Sequence, residues 1–355
     1  MQKRLSKTIK IHNKTIGYKH PVFIIAEAGV NHNGRLDLAL NLVDAVSESG
    51  ADAIKFQTWK AEQLTTKSAK MAAYQKKNMG VEKSQFDMLK GLELREDFFE
   101  PIMKRCREKN LIFLSTPHGG FEAVDFLEKL DIPAYKFGSG DLTNIPVLEH
   151  AARYQRPMII GTGMANMDEV KNAIDCIKNQ GNNDIIALHC TTNYPCPPNE
   201  INLMALITMK KKLDVLVGYS DHTLGIQTPI MSATLGACVI EKHITLDRDM
   251  PGPDHLASTE PDEFKKMVDA LRLVKTILGS NQKKPNQSEI AIMEIAKKSI
   301  VSTKNIKKGE VFTKNNIGIK RPGNGIEPRF YFDILGKISK TDVAEDSLIQ
   351  KEHYE

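Results

Sequence analysis

Asp214-Val-Leu-Val-Gly-Tyr-Ser-Asp-His-Thr223, a helix-like segment, then Ala237-Cys-Val-Ile-Glu-Lys-His-Ile-Thr245 and Pro251-Gly-Pro-Asp254 decide the fold. Two short apolar, β-branched runs, Val215–Val217 and Val239–Ile240, each end in a polar cluster that carries a histidine. A strand that is apolar along its length and polar only at its C-terminal end is what a parallel barrel presents at its catalytic face. Imidazole is a common metal ligand, so His222 and His243 on neighbouring strand ends are candidates to share one divalent ion. Either histidine alone would read as a hydrogen-bonded surface group; it is their matched positions on consecutive strands that favour ligation.

Working outward, the same rhythm recurs. Phe23-Ile-Ile-Ala-Glu27 is a buried strand ending in a carboxylate, and Leu36–Ser47 has helical spacing, with Gly50 as its stop. Ala53-Ile-Lys-Phe-Gln-Thr58, Leu111–Leu114, Ala134–Phe137, Met158–Ile160 and Ile185–Leu188 are further strands, each closed by polar residues and followed by a helical pattern. Eight strand-then-helix units over roughly 260 residues predict a (β/α)8 barrel rather than an open doubly wound sheet. Residues 1–20 read as a polar extension, with a short hairpin closing the barrel bottom. Residues 60–95 form a long polar insertion, and a loop of that length inside a compact domain is expected to serve a purpose such as a lid.

The barrel is expected over residues 1–280 and a linker over 281–296, where the start is polar and lacks apolar period. Residues 297–355 carry short β-type runs, Ser299–Val301 and Ile317–Ile319, broken by turns such as Lys308-Gly309 and Asn324-Gly325. They predict a small β-rich domain that leans on a partner surface.

Composition narrows the function. The 355 residues are 41% hydrophobic and 26% charged, ordinary for a globular protein. A net charge of +5 is mild and aromatics are only 6%, so no nucleic-acid surface is indicated. Five scattered cysteines without a Cys-x-x-Cys fit a reduced, cytoplasmic setting. Met1–Lys7 is charged with no apolar run behind it, and Val22–Val30 contains Glu27 and is too short to span a bilayer, so neither a signal peptide nor a membrane partner is expected.

The strand ends together supply Glu27, Lys55, Gln57, Thr116, Lys136, Ser139, Asp141, Thr162, Thr192, Tyr194, Ser220, His222, His243 and Asp254. A single Thr or Ser there is ordinarily a cap. Lys55 and Lys136 each follow apolar strand residues directly, and an inward lysine there needs an anion; with the hydroxyls they suit a phosphate and a carboxylate. A closed structural zinc site would want four ligands. Two histidines leave positions open for water and substrate, where an ion would act as a Lewis acid on a carbonyl. Glu27 is then available as a base or a water positioner.

At this point the residues resemble a known family. Phe23-Ile-Ile-Ala-Glu-Ala-Gly-Val-Asn-His-Asn-Gly34, Phe113-Leu-Ser-Thr-Pro117, Tyr135-Lys-Phe-Gly-Ser-Gly-Asp141, Leu188-His-Cys-Thr-Thr-Asn-Tyr-Pro195, the two histidine strands and Pro251-Gly-Pro-Asp-His255 are similar to the bacterial sialic acid synthases. Ile306-Lys-Lys-Gly-Glu310 and Lys320-Arg-Pro-Gly-Asn-Gly-Ile326 resemble their antifreeze-like (SAF) domain. The match covers nearly the whole chain in order.

The resemblance implies a (β/α)8 barrel joined to a small SAF (β-clip) domain, in a homodimer whose small domain covers the partner's active site. It implies condensation of phosphoenolpyruvate with an open-chain N-acylated hexosamine to a nine-carbon 2-keto sugar acid, releasing phosphate by C–O cleavage. It implies Mn²⁺, or Mg²⁺ or Co²⁺, at His222 and His243, with Glu27 catalytic beside them. Phosphoenolpyruvate would be held by Lys55, Thr116, Lys136, Ser139, Thr162, Thr192 and Ser220. The sugar would meet Gln57, Asp141, Tyr194 and Asp254, and Arg321 would reach its N-acyl group from the partner chain. Asp141 stands where glutamate is expected, and Thr192 where the neuraminic branch tends to have asparagine. Ala72-Ala-Tyr-Gln75, with Cys190-Thr-Thr-Asn-Tyr-Pro195 and Pro251-Gly-Pro-Asp-His255, is closer to the legionaminic-type synthases, which act on a 2,4-diacetamido-2,4,6-trideoxy hexose, than to those using N-acetylmannosamine or a pseudaminic-type sugar.

Other classes remain open on the residues. A Schiff-base aldolase would use Lys136 or Lys242 and no metal. A synthase of seven- or eight-carbon keto acids would take a phosphorylated aldose. A non-enzymatic ice or carbohydrate binder would need only residues 297–355.

Overall fold

The computed structural model describes residues 7–80 and 84–354. A hairpin, β1 (Thr8–Ile11) and β2 (Lys14–Gly17), comes first. Eight parallel strands follow: β3 (Phe23–Gly29), β4 (Ala53–Thr58), β5 (Ile112–Pro117), β6 (Tyr135–Phe137), β7 (Met158–Gly161), β8 (Ile185–His189), β9 (Leu216–Asp221) and β10 (Val239–His243). They pair in chain order, and β10 returns to β3 with Val239 opposite Phe23 and His243 opposite Glu27, which closes the barrel. The expected (β/α)8 barrel is therefore the observed one.

The two-residue period of each strand divides its side chains between two cores. One face packs outward on the helices: Ile24, Ala26, Ile54, Phe56, Phe113, Tyr135, Phe137 and Ile240 belong to that layer. The other face fills the barrel: Phe23, Ile25, Ala53, Ile112, Leu114, Ile159, Ile186, Leu188, Leu216 and Val239. Ile9, Ile11 and Ile16 of the hairpin join the inner cluster and plug the N-terminal end of the barrel, as expected for residues 1–20. Continued by twos toward the C-terminal end, the inner faces reach Glu27, Lys55, Gln57, Thr116, Lys136, Ser220, Glu241 and His243. The apolar floor thus gives way to charge within one barrel layer.

The helices form for ordinary reasons. Leu36–Ser49 buries Ala39, Leu42, Val43 and Val46 on one stripe and ends at Gly50, whose φ of 78° only glycine adopts at no cost. Met167–Asn179 starts from a capping box, the Asn166 side chain accepting from the N–H of Asp168 and Glu169 while Glu169 reaches back.

The 60–95 insertion is partly helical, with Ala61–Leu64, Ala73–Met79 and Gln85–Leu92. Its Met71, Met88 and Leu92 cluster with Trp59 and Val30. Asn78 donates to the Pro253 carbonyl at 2.7 Å, which ties the insertion to the loop after β10. Among the described residues no helix is long and apolar enough to cross a membrane.

The chain divides into two compact units, one ending at Gly279 and the other running from Ser280. Part of the 281–296 stretch read as linker is a helix, Gln287–Ala296, capped by Asn286. It buries none of its residues, which is why no apolar period announced it. Gly323 N–H donates to its Glu294 carbonyl at 2.7 Å, within the second unit. That unit also holds β11 (Ser299–Ser302) and β12 (Ile317–Lys320), antiparallel, over a core of Ile300, Ile306, Phe312, Ile317, Ile334, Val343 and Ile349.

Candidate active site

The C-terminal mouth of the barrel holds a cleft lined by Glu27, Lys55, Gln57, Thr116, Lys136, Ser139, Thr192, Tyr194, Ser220, His222, His243 and Asp254. Glu241, His118 and Cys190 line it as well, and the insertion adds Gln75, Met88, Leu89 and Leu92.

At its floor lie two lysines and two glutamates, all almost fully buried. Lys55 Nζ stands 2.7 Å from Glu27 Oε2 and donates to Thr116 Oγ1 at 3.0 Å. Lys136 Nζ is 3.0 Å from Glu241 Oε1, which also accepts from Ser220 Oγ at 3.0 Å. Lys55 reaches Glu241 Oε2 at 3.9 Å, and Gln57 Nε2 donates to Glu27 Oε1 at 2.7 Å. Burial alone would raise both carboxyls. For Glu241 the adjacent Lys136 and Lys55 outweigh burial and bring it down to about 2. For Glu27 burial wins over Lys55, and the charge on Glu241 pushes the same way, so its pKa lies above the usual range. Burial lowers Lys55, whereas Glu241 and Glu27 outweigh burial at Lys136 and raise it. One carboxylate thus holds its charge firmly, and the other is poised to take or give a proton.

Above this floor stand the two histidines, their ring centroids 5.6 Å apart. His222 Nδ1 donates to the Thr191 carbonyl at 2.6 Å, which leaves Nε2 as the lone-pair nitrogen. Burial lowers the pKa of His222 to about 4 and takes His243 well below its ordinary value, the latter aided by His222 and Lys55. Both imidazoles are therefore neutral at physiological pH, the form that ligates metal. Tyr194 lies over His222 with centroids 4.1 Å apart and edge-on to His243 at 5.5 Å. His243 Nδ1, Thr192 Oγ1 and Glu241 Oε2 are buried without a hydrogen-bond partner among the described residues. Buried polar atoms normally have partners, so this cluster marks a surface built for a polar ligand. Nitrogen donors that are neutral, buried and partly unpartnered fit a divalent ion, and no third histidine, cysteine or carboxylate among the described residues completes the set.

The rim is closely fitted. Gly163 N–H donates to Ser139 Oγ at 2.9 Å and to Cys190 Sγ at 3.2 Å. A Cβ on Gly163 would fall 2.3 Å from Thr192 Oγ1, so a larger residue would break this cradle. Burial, with Glu27 nearby, raises Asp254 to about 7.

Two expected residues do not line the cleft. Thr162 donates to the Leu188 carbonyl at 2.9 Å and acts as a strand-end cap. Asp141 does not line the cleft; its Oδ2 takes His118 Nδ1 at 2.9 Å, and His118 lines the cleft in its place. Arg321 stands exposed in the second unit, just after β12. Lys242 points away from the cleft into the helix layer, paired with Asp221 at 2.5 Å and donating to the Thr223 carbonyl at 2.8 Å. A Schiff base at Lys242 has no access to the cleft, and Lys136, raised by Glu241, is kept as an ammonium and not as the free amine that an aldolase needs. Glu241 and His118 were missed. Glu241 was detectable, because the two-residue period of β10 puts it on the same face as His243.

The profile of the NeuB family matches residues 42–283 and that of the SAF domain matches residues 297–355. The chain is 42% identical to the N,N'-diacetyllegionaminic acid synthase of Legionella pneumophila, covering 96% of this chain and 97% of the other. It is 44% identical to the protein of the same name in Campylobacter jejuni, covering 92% and 98%. A crystal structure of N-acetylneuraminic acid synthetase from Leptospira borgpetersenii, in complex with citrate, superposes with a TM-score of 0.72 at 34% identity, over 81% of this chain and 96% of that one.

Proposed function

The chain belongs to the NeuB family of sialic acid synthases, and from that membership we propose that it condenses phosphoenolpyruvate with an open-chain N-acylated hexosamine. The observation that carries the reading is the floor of two buried lysines and two glutamates beneath two neutral histidines. The phosphate and carboxylate of phosphoenolpyruvate meet Lys55, Lys136, Thr116, Ser139, Thr192 and Ser220, where buried ammonium and hydroxyl donors replace water. His222 Nε2 and His243 would hold a divalent ion, Mn²⁺ or alternatively Mg²⁺ or Co²⁺. When bound, that ion supplies Lewis-acid polarisation of the sugar's aldehyde carbonyl.

The enol carbon of phosphoenolpyruvate then forms the new C–C bond with the aldehyde carbon while the aldehyde π electrons move onto its oxygen, and that oxygen takes the proton that Glu27 later releases after receiving it from water. Water adds to the resulting cationic carbon. Glu27, its pKa raised by burial, accepts the proton from that water while Gln57 fixes its other oxygen. The bond between that carbon and the phosphate oxygen breaks, leaving the keto acid and inorganic phosphate. Tyr194, tilted over His222, excludes bulk water from the reacting atoms.

The favoured sugar is a 2,4-diacetamido-2,4,6-trideoxy hexose. The apolar wall of Val30, Met88, Leu89 and Leu92 supports it, since a methyl at C6 gains from apolar contact where a hydroxyl would lose water. N-acetylmannosamine is the second reading, on the strength of the Leptospira likeness. The reading carries a homodimer whose SAF domain brings Arg321 to the partner's cleft.

Phosphate release measured with phosphoenolpyruvate and a panel of N-acyl hexosamines tests the assignment. The trideoxy sugar should give the highest kcat/KM. In heavy-oxygen water the label should enter the keto acid and not the phosphate. Label in the phosphate would mean P–O cleavage and would overturn the role given to Glu27.

A further inference from the structure

Asp141 and His118 form a side-chain pair that the mechanism does not use. His118 follows β5, its backbone N–H donating to the Thr58 carbonyl at 2.9 Å. Its ring is held between two neighbours and keeps 23% of its side-chain surface exposed. Trp59 tilts against it with centroids 6.4 Å apart, and Trp59 Nε1 in turn donates to the Leu89 carbonyl of the insertion at 3.4 Å. On the other side lies Gly138, where a Cβ would come within 2.8 Å of His118 Cε1; only glycine leaves room for the ring. His118 thus sits where the barrel mouth meets the apolar wall, and both it and Gly138 border the cleft.

The pairing fixes more than position. Asp141 Oδ2 accepts from His118 Nδ1 at 2.9 Å, and Asn144 Nδ2 donates to Asp141 Oδ1 at 3.3 Å. A carboxylate can only accept, so the proton of the neutral ring sits on Nδ1. Nε2 is then a bare acceptor, and it has no partner among the described residues. An acceptor held this rigidly discriminates between ligands, because a ligand that offers no donor leaves it desolvated and unpaired.

We propose that His118, oriented by Asp141 at Nδ1, is a specificity-determining residue that accepts a hydrogen bond at Nε2 from a hydroxyl or acylamino N–H of the sugar. The inference rests on the synthase reading above and assigns to His118 the contact that the resemblance gives to Asp141. It also accounts for an aspartate at 141, since its carboxylate is spent on the imidazole.

The test is steady-state phosphate release by the full-length chain, with sugar and phosphoenolpyruvate varied separately. His118→Phe keeps a ring and deletes the acceptor. Asp141→Asn keeps the shape but reverses the tautomer: Asn144 retains the amide oxygen, so the amide N–H₂ faces Nδ1 and the imidazole proton moves to Nε2. Each variant should raise the sugar KM by about three- to tenfold, the worth of one neutral hydrogen bond. The KM for phosphoenolpyruvate and kcat should stay within about twofold of wild type. The double variant should be no worse than either single one, because both remove the same contact. Among sugar analogues that each lack one hydroxyl or acylamino group, one should be used poorly by wild type and no worse by His118→Phe. That analogue identifies the donor.

An unchanged sugar KM in both variants, a parallel rise in the KM for phosphoenolpyruvate, or additive effects in the double variant would each overturn the proposal. Should His118→Phe fail to fold, His118→Gln, with an amide oxygen able to accept near Nε2, must recover most of the sugar affinity lost in Asp141→Asn. If the wild type releases no phosphate with any N-acyl hexosamine, the synthase reading itself fails, and this inference with it.

Discussion

Glu241→Gln isolates the electrostatics of the barrel floor. The carboxylate stands 3.0 Å from Lys136 Nζ and 3.9 Å from Lys55 Nζ, and all three groups are nearly inaccessible to water. At an effective dielectric of about 20, the two contacts correspond to gross attractions of about 5 and about 4 kcal/mol. Desolvation offsets much of that, and breaking a buried pair from one side costs about 3–5 kcal/mol. Glutamine retains the acceptor for Ser220 Oγ, so the loss reports charge and not packing. The urea midpoint of the variant should therefore fall by the equivalent of about 3–5 kcal/mol at neutral pH. The pH dependence has a definite sign. Glu241 is held down at about 2 in the folded protein, so its contribution is full above the ordinary glutamate value near 4.5 and is lost as pH falls toward 2. The difference between variant and wild type should shrink over that window. With two ammonium groups facing only Glu27, the variant should also gain more from added phosphoenolpyruvate than the wild type does. Urea curves that overlie at pH 7, or a deficit that persists undiminished as pH falls toward 2, would refute the assignment of Glu241 as the counter-ion of both lysines.

The remaining predictions concern the metal and the second unit. His222→Ala or His243→Ala should each nearly abolish turnover and reduce bound divalent metal, measured by atomic emission after gel filtration, because a two-ligand site does not survive the loss of one ligand; near-normal turnover of either variant in metal-stripped buffer would show the site to be wrongly assigned. Arg321→Ala should weaken sugar use by about one to two orders of magnitude, the worth of one charged hydrogen bond, with little change for phosphoenolpyruvate. Mixing Arg321→Ala chains with His222→Ala chains should restore activity in heterodimers, and failure to do so once heterodimers are shown to form would count against the cross-chain arrangement.

The barrel was legible because its signal is redundant. Each strand reads as an apolar run ending in polar residues, and eight such runs leave few alternative topologies. The hairpin plug was equally accessible, since Ile9, Ile11 and Ile16 flank a turn and have only the barrel floor to cover. The helix Gln287–Ala296 was not legible, because periodicity reports burial and this helix buries nothing. The insertion was seen as one polar segment because its helices are short, four to eight residues, too few to establish a period.

At the site, strand-end position identified which residues gather, and side-chain direction explains the misses. Lys242 and Glu241 are neighbours in the sequence, and both carry charge on an apolar strand. Only the two-residue period separates them: Glu241 shares the inner face with His243, while Lys242 turns outward to Asp221. A charge on the outer face of a barrel strand must find a partner outside the barrel interior, and Asp221 at the end of β9 and the Thr223 carbonyl just beyond it meet that need. A charge on the inner face meets other strand ends instead, so its pKa depends on residues far away in the chain. That is why Glu27 and Glu241, the same side chain on the inner faces of neighbouring strands, are driven in opposite directions. Lys55 is shared between them, and among the described residues Lys136 pairs directly with Glu241. The division of labour between a fixed counter-ion and a proton acceptor is therefore written in the pairing of four strands. No single motif contains it.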